Sequence, residues 1–240
     1  MLRTRHLLIR SGQIASTLVA LGIVCLPFVS PASAAYICPS CYKLDRATDH
    51  VFVDRTMSAD DRARLQEVVA RATADVIAFY GSFGNQPTLL VCSTDECDHR
   101  LGGRGAAAVT YGTTFIRVSP RGVNETILSH EFSHVYLHGR IGPIRFLRYV
   151  PAWFDEGLAV IVSNDTRYLK HGDTAKARCP EVADDTLPSS PRQWRHSAGL
   201  NHQLYAQAAC RVLQWMEANG GKDGLLMAIS GVASGDRSFP

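Results

Sequence analysis

His130 and His134 stand four residues apart, with Glu131 directly after the first of them. In an α-helix this spacing puts both imidazoles on one face, one turn apart, where they can reach a single metal ion. Glu131 is then placed to act as a general base on a metal-bound water without itself being a ligand. Leu128, Phe132 and Val135 would press the same helix onto a core. Polar groups held against such a core need partners, and one shared metal serves both imidazoles. The plain alternative is a solvated helix that happens to be rich in His and Glu.

A third ligand would say more than the motif does. His138 lies another turn on, too far along the row for three histidines to meet one ion. The metzincin arrangement needs Gly at 137 and His at 140, where this chain has Leu137 and Arg140. Glu156 is the remaining candidate, in the segment Val150-Pro-Ala-Trp-Phe-Asp-Glu-Gly-Leu-Ala159. The intervening Gly139, Gly142 and Pro143 allow a second helix to return antiparallel, with Glu156 facing the His pair. Two His, one Glu and an open position make a catalytic zinc shell, with one Zn2+ per chain.

His-Glu-x-x-His followed by Trp-x-x-Glu-Gly-Leu-Ala resembles the gluzincin zinc peptidases, and above all the short domains called peptidase MA-like. The likeness covers roughly residues 113–218. It implies His130, His134 and Glu156 as ligands and Glu131 as base and proton shuttle. It implies a strand at the cleft edge, here Thr113 to Val118, that pairs with substrate backbone. It also implies a Tyr or His on a later helix that donates to the oxyanion, for which Tyr205 and His202 are the matching residues. Tyr205 could equally be a core residue whose phenol finds a partner. Two departures stand out. Thermolysin relatives carry an Asp four residues after the Glu ligand, where this chain has Val160, so a ligand His must be oriented by Asp155 or a backbone carbonyl. The Gly-rich stretch from Gly102 to Thr110 holds no acidic residue, which speaks against an aminopeptidase.

The elements that must position these groups follow from periodicity. His50 to Asp54, Pro87 to Ser93 and Thr113 to Val118 read as strands. Ser58 to Tyr80 reads as a helix capped by Ser58, with Leu65, Val68, Val69, Ala72, Val76 and Phe79 at helical spacing. The motif helix spans Asn124 to His138, and another starts at Pro151 and runs to Val162. Residues 163–197 read as a long polar surface excursion, followed by a helix from Asn201 to Glu217 and a short one from Asp223 to Ser230. Gly102, Gly103 and Gly105 mark a loop, and the tail from Gly231 reads as loose. The order argues an α+β fold, a small N-terminal mixed sheet with a helical half, zincin-like by resemblance, with the metal site between two helices.

The chain has 240 residues, 46% of them hydrophobic and 20% charged, which excludes collagen-like and wholly disordered classes. Residues 1–34 are basic, then apolar, then end in Ala32-Ser33-Ala34, the order of a secretory signal peptide. Cleavage is expected after Ala34, leaving 35–240 as a single domain; the alternative is an uncleaved anchor. The apolar run is short for a membrane span, and no other stretch reads as one. The leader holds Arg3, Arg5 and Arg10 and no acid, so the remainder balances 22 Lys+Arg against 22 Asp+Glu. Such a balance does not suit a nucleic-acid binder. Cys25 lies in the leader; the other six cysteines suit disulfides in an oxidising compartment, and of the 15 pairings open to six cysteines the nearest-neighbour set Cys38/Cys41, Cys92/Cys97 and Cys179/Cys210 is the expectation. The expectation is a secreted or periplasmic zinc peptidase acting on peptide or protein substrates. The alternatives are a catalytically weak zinc-binding scaffold and a secreted interaction domain.

Overall fold

The computed structural model describes residues 30–84, 86–179 and 186–235. The leader's basic and apolar stretches, Cys25 and the last five residues of the tail lie outside them. The fold is α+β. Its sheet has five strands: β1 (Leu44–Thr48), β2 (Val51–Asp54), β3 (Thr88–Val91), β4 (Ala108–Tyr111) and β5 (Phe115–Val118), in the order β1-β2-β3-β5-β4. The inner pairs β2–β3 and β3–β5 are parallel, and both edges pair antiparallel. Parallel neighbours need a crossover, supplied by α2 (Ala59–Tyr80) and α3 (Asp95–Arg100).

Side chains alternate across the sheet. Leu89, Val91, Ile116 and Val118 face a large core shared with α2 and with α4 (Glu125–Ile141). Leu90, Cys92 and Phe115 face a smaller core closed by α1 (Pro31–Ile37) and α3. In α2, Ser58 Oγ accepts from the Asp61 N–H at 3.1 Å, and Leu65, Val68, Ala72 and Val76 form the buried stripe. Gly81 ends the helix at φ +82°, a conformation that favours glycine.

The helical half continues with α5 (Pro143–Tyr149), α6 (Ala152–Val162), α7 (Ala175–Arg178), α8 (Pro191–Leu200), α9 (Gln203–Ala218) and α10 (Gly221–Ser234). The three nearest-neighbour disulfides, Cys38–Cys41, Cys92–Cys97 and Cys179–Cys210, are formed and fit an oxidising compartment. No helix among the described residues is long and apolar enough to cross a membrane.

Several expectations are corrected. Thr113 to Val118 is not at the sheet edge: β5 lies between β3 and β4, and Phe115 to Val118 are all buried. The edge strand is β4, inside what reads as the end of a Gly-rich loop. The 163–197 stretch is not only a surface excursion, because α8 begins at Pro191 with Ser190 as its cap and buries Trp194 at 2% exposure. Pro151 caps α6 rather than starting it, α4 runs three residues past His138, and α10 runs to Ser234, beyond Ser230. Separately from these corrections, α1 spans the expected cleavage point, and its Ala32 and Ala35 are 1% and 0% exposed, with Pro31 beside Gly102.

Candidate metal centre

Helix α4 carries the His-Glu-x-x-His motif. Asn124 starts it, its side chain accepting from the Ile127 N–H at 3.0 Å. One face buries Leu128, Phe132 and Val135 in the main core, and the motif residues lie on the face turned toward α6 and β4. Gly142, at φ +82°, ends α4 and lets α5 start on Pro143. The chain then returns as α6, bringing Asp155 and Glu156 against the histidines. On the other side of α6, Gly157 meets α9 backbone to backbone. A Cβ there would lie 2.5 Å from the carbonyl of Ala208, so only glycine permits this approach.

His130 Nε2 lies 3.3 Å from Glu156 Oε2, and His134 Nε2 lies 3.7 Å from the same oxygen. One donor atom from each of the three residues falls within 4.8 Å of the others. Tetrahedral ligands at about 2.0–2.1 Å from zinc stand about 3.3 Å apart, and the two His–Glu156 distances are close to that separation. The donors also suit it in kind, two imidazoles and a carboxylate.

Behind the cluster, Asp155 Oδ1 lies 2.8 Å from His134 Nδ1. A proton on Nδ1 donates to this carboxylate and leaves Nε2 facing Glu156. His138 Nε2 approaches the other oxygen, Oδ2, at 3.5 Å, and its ring packs on Phe146. His138 therefore stands behind the three donors rather than among them. Burial opposes the charge on His134, but Asp155, and then Glu156 and Glu131, push its pKa up to about 10. Burial likewise opposes ionisation of Asp155, yet the charge and hydrogen bond of His134, with His138 beyond, hold its carboxyl well below the usual range. The metal-free centre thus keeps a proton where a metal would bind.

Glu131 is 8% exposed and is not among the clustered donors. The Thr110 hydroxyl donates to its Oε2 at 2.6 Å and also lies 3.3 Å from its main-chain oxygen. This contact joins the edge strand to the motif helix. Tyr205, on the first turn of α9, has its ring 6.3 Å from that of His130, between Tyr168 and Trp194. Burial, and then the charge of Glu156, raise its phenol above the ordinary value. His202 is exposed at the start of α9 and lines the outer part of the same groove.

Of the residues singled out from sequence, the structure brings together His130, His134 and Glu156, sets Glu131 and Tyr205 beside them, and leaves His202 at the rim. Of the two open candidates for orienting a ligand histidine, it selects Asp155. Sequence reasoning missed Thr110 and Trp194. Only the helix signature Ser190-Pro191, with Trp194 and Ala198 at helical spacing, could have pointed to Trp194. Compared with protein-family models, curated proteins and solved structures, the chain has no match.

Proposed function

We propose that this chain is a zinc-dependent peptidase of gluzincin type, working outside the cytoplasm after loss of its leader. The observation that carries the reading is the spacing of His130 Nε2, His134 Nε2 and Glu156 Oε2, with a half-buried Asp155 oriented on His134. These three residues would hold the ion, each through one atom. Zinc held there supplies a water of pKa about 7 and polarises a carbonyl.

The protein's own groups account for the rest. Thr110 occupies Oε2 of Glu131 and leaves Oε1 to take the proton of the attacking water. Glu131 then returns that proton to the nitrogen of the leaving amine. The Tyr205 phenol stays protonated through the physiological range, because its pKa is raised. It is thereby able to donate to the oxygen of the scissile carbonyl, a contact typically worth about 3 kcal/mol. His202, exposed at the rim, is the weaker candidate for that role. The free edge of β4 offers main-chain donors and acceptors to an extended substrate. The leader pattern and three disulfides support an extracytoplasmic setting.

The test is metal content beside peptide hydrolysis. The wild-type chain should carry about one zinc, as a three-ligand site with an open fourth position requires. Glu156→Ala should lose it. Glu131→Gln should keep the metal and lose turnover by about 10²–10⁴-fold. Wild-type protein that takes up no zinc, or Glu131→Gln protein that still cuts peptides at the wild-type rate, sinks the proposal.

A further inference from the structure

The groove around the candidate centre extends to both sides of Glu131. One lobe, of about 610 Å³, and another, of about 670 Å³, share Ala106, Ala108, His130, Glu131 and Tyr205 as lining. The reacting position is therefore at the middle of a channel, not at its end. Ala108, Val109 and Thr110 of β4 border the second lobe, and β4 is one of the sheet's two edge strands. An extended chain can lie along such an edge and continue past it in both directions.

A peptidase that trims ends needs a charged group free to receive a terminus, because a buried terminal charge without a partner is costly. The carboxylates lining the two lobes are Glu131, Asp155, Glu156 and Asp165. Glu131 accepts from Thr110, Asp155 from His134, and Asp165 is paired with Arg167. Glu156 lies between the two histidines. Among the described residues none is left for an α-ammonium. Of the lining cations, Arg121 donates to Gly105 O, Arg167 is paired with Asp165, and Arg195 is exposed on the rim. All three are exposed, so none forms a buried pocket for a terminal carboxylate.

The two lobes also differ in chemistry. Phe146, Leu147, Val150 and Trp194 wall one of them. Arg121, Asn124, Thr126 and the Asp165–Arg167 pair wall the other. We infer that this groove takes an internal segment of an extended polypeptide and cuts it between residues, with a bulky apolar side chain on one fixed side of the cut and no such demand on the other. The inference rests on the peptidase reading above. The reaction is a hydrolysis: the C–N bond breaks, water's oxygen joins the carbonyl carbon, and its protons go to the new carboxyl and amine ends.

The experiment uses zinc-loaded protein and two sets of short random peptides, one with acetylated and amidated ends and one with free ends. Products are read by mass spectrometry. Blocked peptides should be cut internally at rates comparable to free ones, with aliphatic or aromatic residues enriched on one side of the cut. Leu147 is 74% exposed, so Leu147→Glu should fold and keep its zinc. It should lower the preference for an apolar residue on that side by about tenfold, the range a hydrophobic pocket discriminates. Cleavage confined to free-ended peptides, shortened from one end, overturns the inference alone, with amino-terminal or carboxy-terminal loss identifying the exopeptidase. So does internal cleavage with no apolar preference, or with a preference that Leu147→Glu leaves unchanged. No cleavage of either set by zinc-loaded protein overturns the peptidase reading and the inference with it.

Discussion

At the scale of single residues, the centre is organised by a carboxylate that lies behind the His130–His134–Glu156 cluster. Asp155 is half-buried and faces His134 Nδ1 at 2.8 Å, so it decides which imidazole nitrogen carries the proton. Asp155→Asn should keep the shape but lose the charge, and zinc affinity should fall by about 10–100-fold in a chelator competition. Unchanged affinity would leave Asp155 without this role. The same pair governs the metal-free protein. Asp155 has its pKa lowered from 3.8, so its contribution is present above that value and is lost as pH falls further. His134 has its pKa raised from 6.5 to about 10, so its contribution is present below 6.5 and is lost as pH rises toward 10. Chelator-treated protein should therefore have its highest urea midpoint between about pH 4 and pH 6.5, the ordinary values of the two groups. Added zinc should move the optimum upward, because the metal competes with the His134 proton. A midpoint that is flat from pH 4 to pH 9 would count against the pairing, using the ordinary carboxyl and imidazole values as the bounds. Both histidines and Glu156 were legible in the sequence because the helical repeat alone sets His130 and His134 on one face. Thr110 was not, since its contact with Glu131 crosses 21 residues and depends on where a strand edge falls.

Among the elements, the α6–α9 contact has the least tolerance. Gly157 follows Glu156 directly, and its missing side chain lets the α9 backbone at Ala208 approach. That approach sets Tyr205 one turn before Ala208 on the groove side. Gly157→Ala should cost about 1–3 kcal/mol by overpacking in thermal or urea unfolding. An effect below a few tenths of a kcal/mol would show that α9 can move aside, against the range usual for overpacked sites. Glu-Gly-Leu-Ala was recognisable as a motif, but the reason for its glycine lies in a helix 50 residues later. Elements with a long apolar stripe, such as α2 and α9, were legible because their repeat is local. Short elements such as β1, α1, α3 and α5 were not, since five to seven residues carry too little periodicity.

For the whole molecule, the sheet and the helical half are tied together by α4, which packs against strands on one side and against α6 on the other. The Cys179–Cys210 bond anchors the polar 163–197 stretch to α9. Its closed loop spans a separation of 31 residues, which corresponds to about 3–4 kcal/mol. Cys179→Ala with Cys210→Ala should lose stability on that scale and keep zinc, because the three donors sit on α4 and α6. Loss of zinc in this double variant would mean that the bond also shapes the centre. The sequence by itself determined the α+β class and which side chains could share a metal ion, because each follows from composition, short-range spacing or helical repeat; it left the pairing of the six cysteines open. Only the tertiary structure decided which strand forms the free edge, which acid orients His134 and how Trp194 enters the groove. Those are contacts between segments far apart in the chain, chosen by how the strands order themselves and how closely two helices can approach.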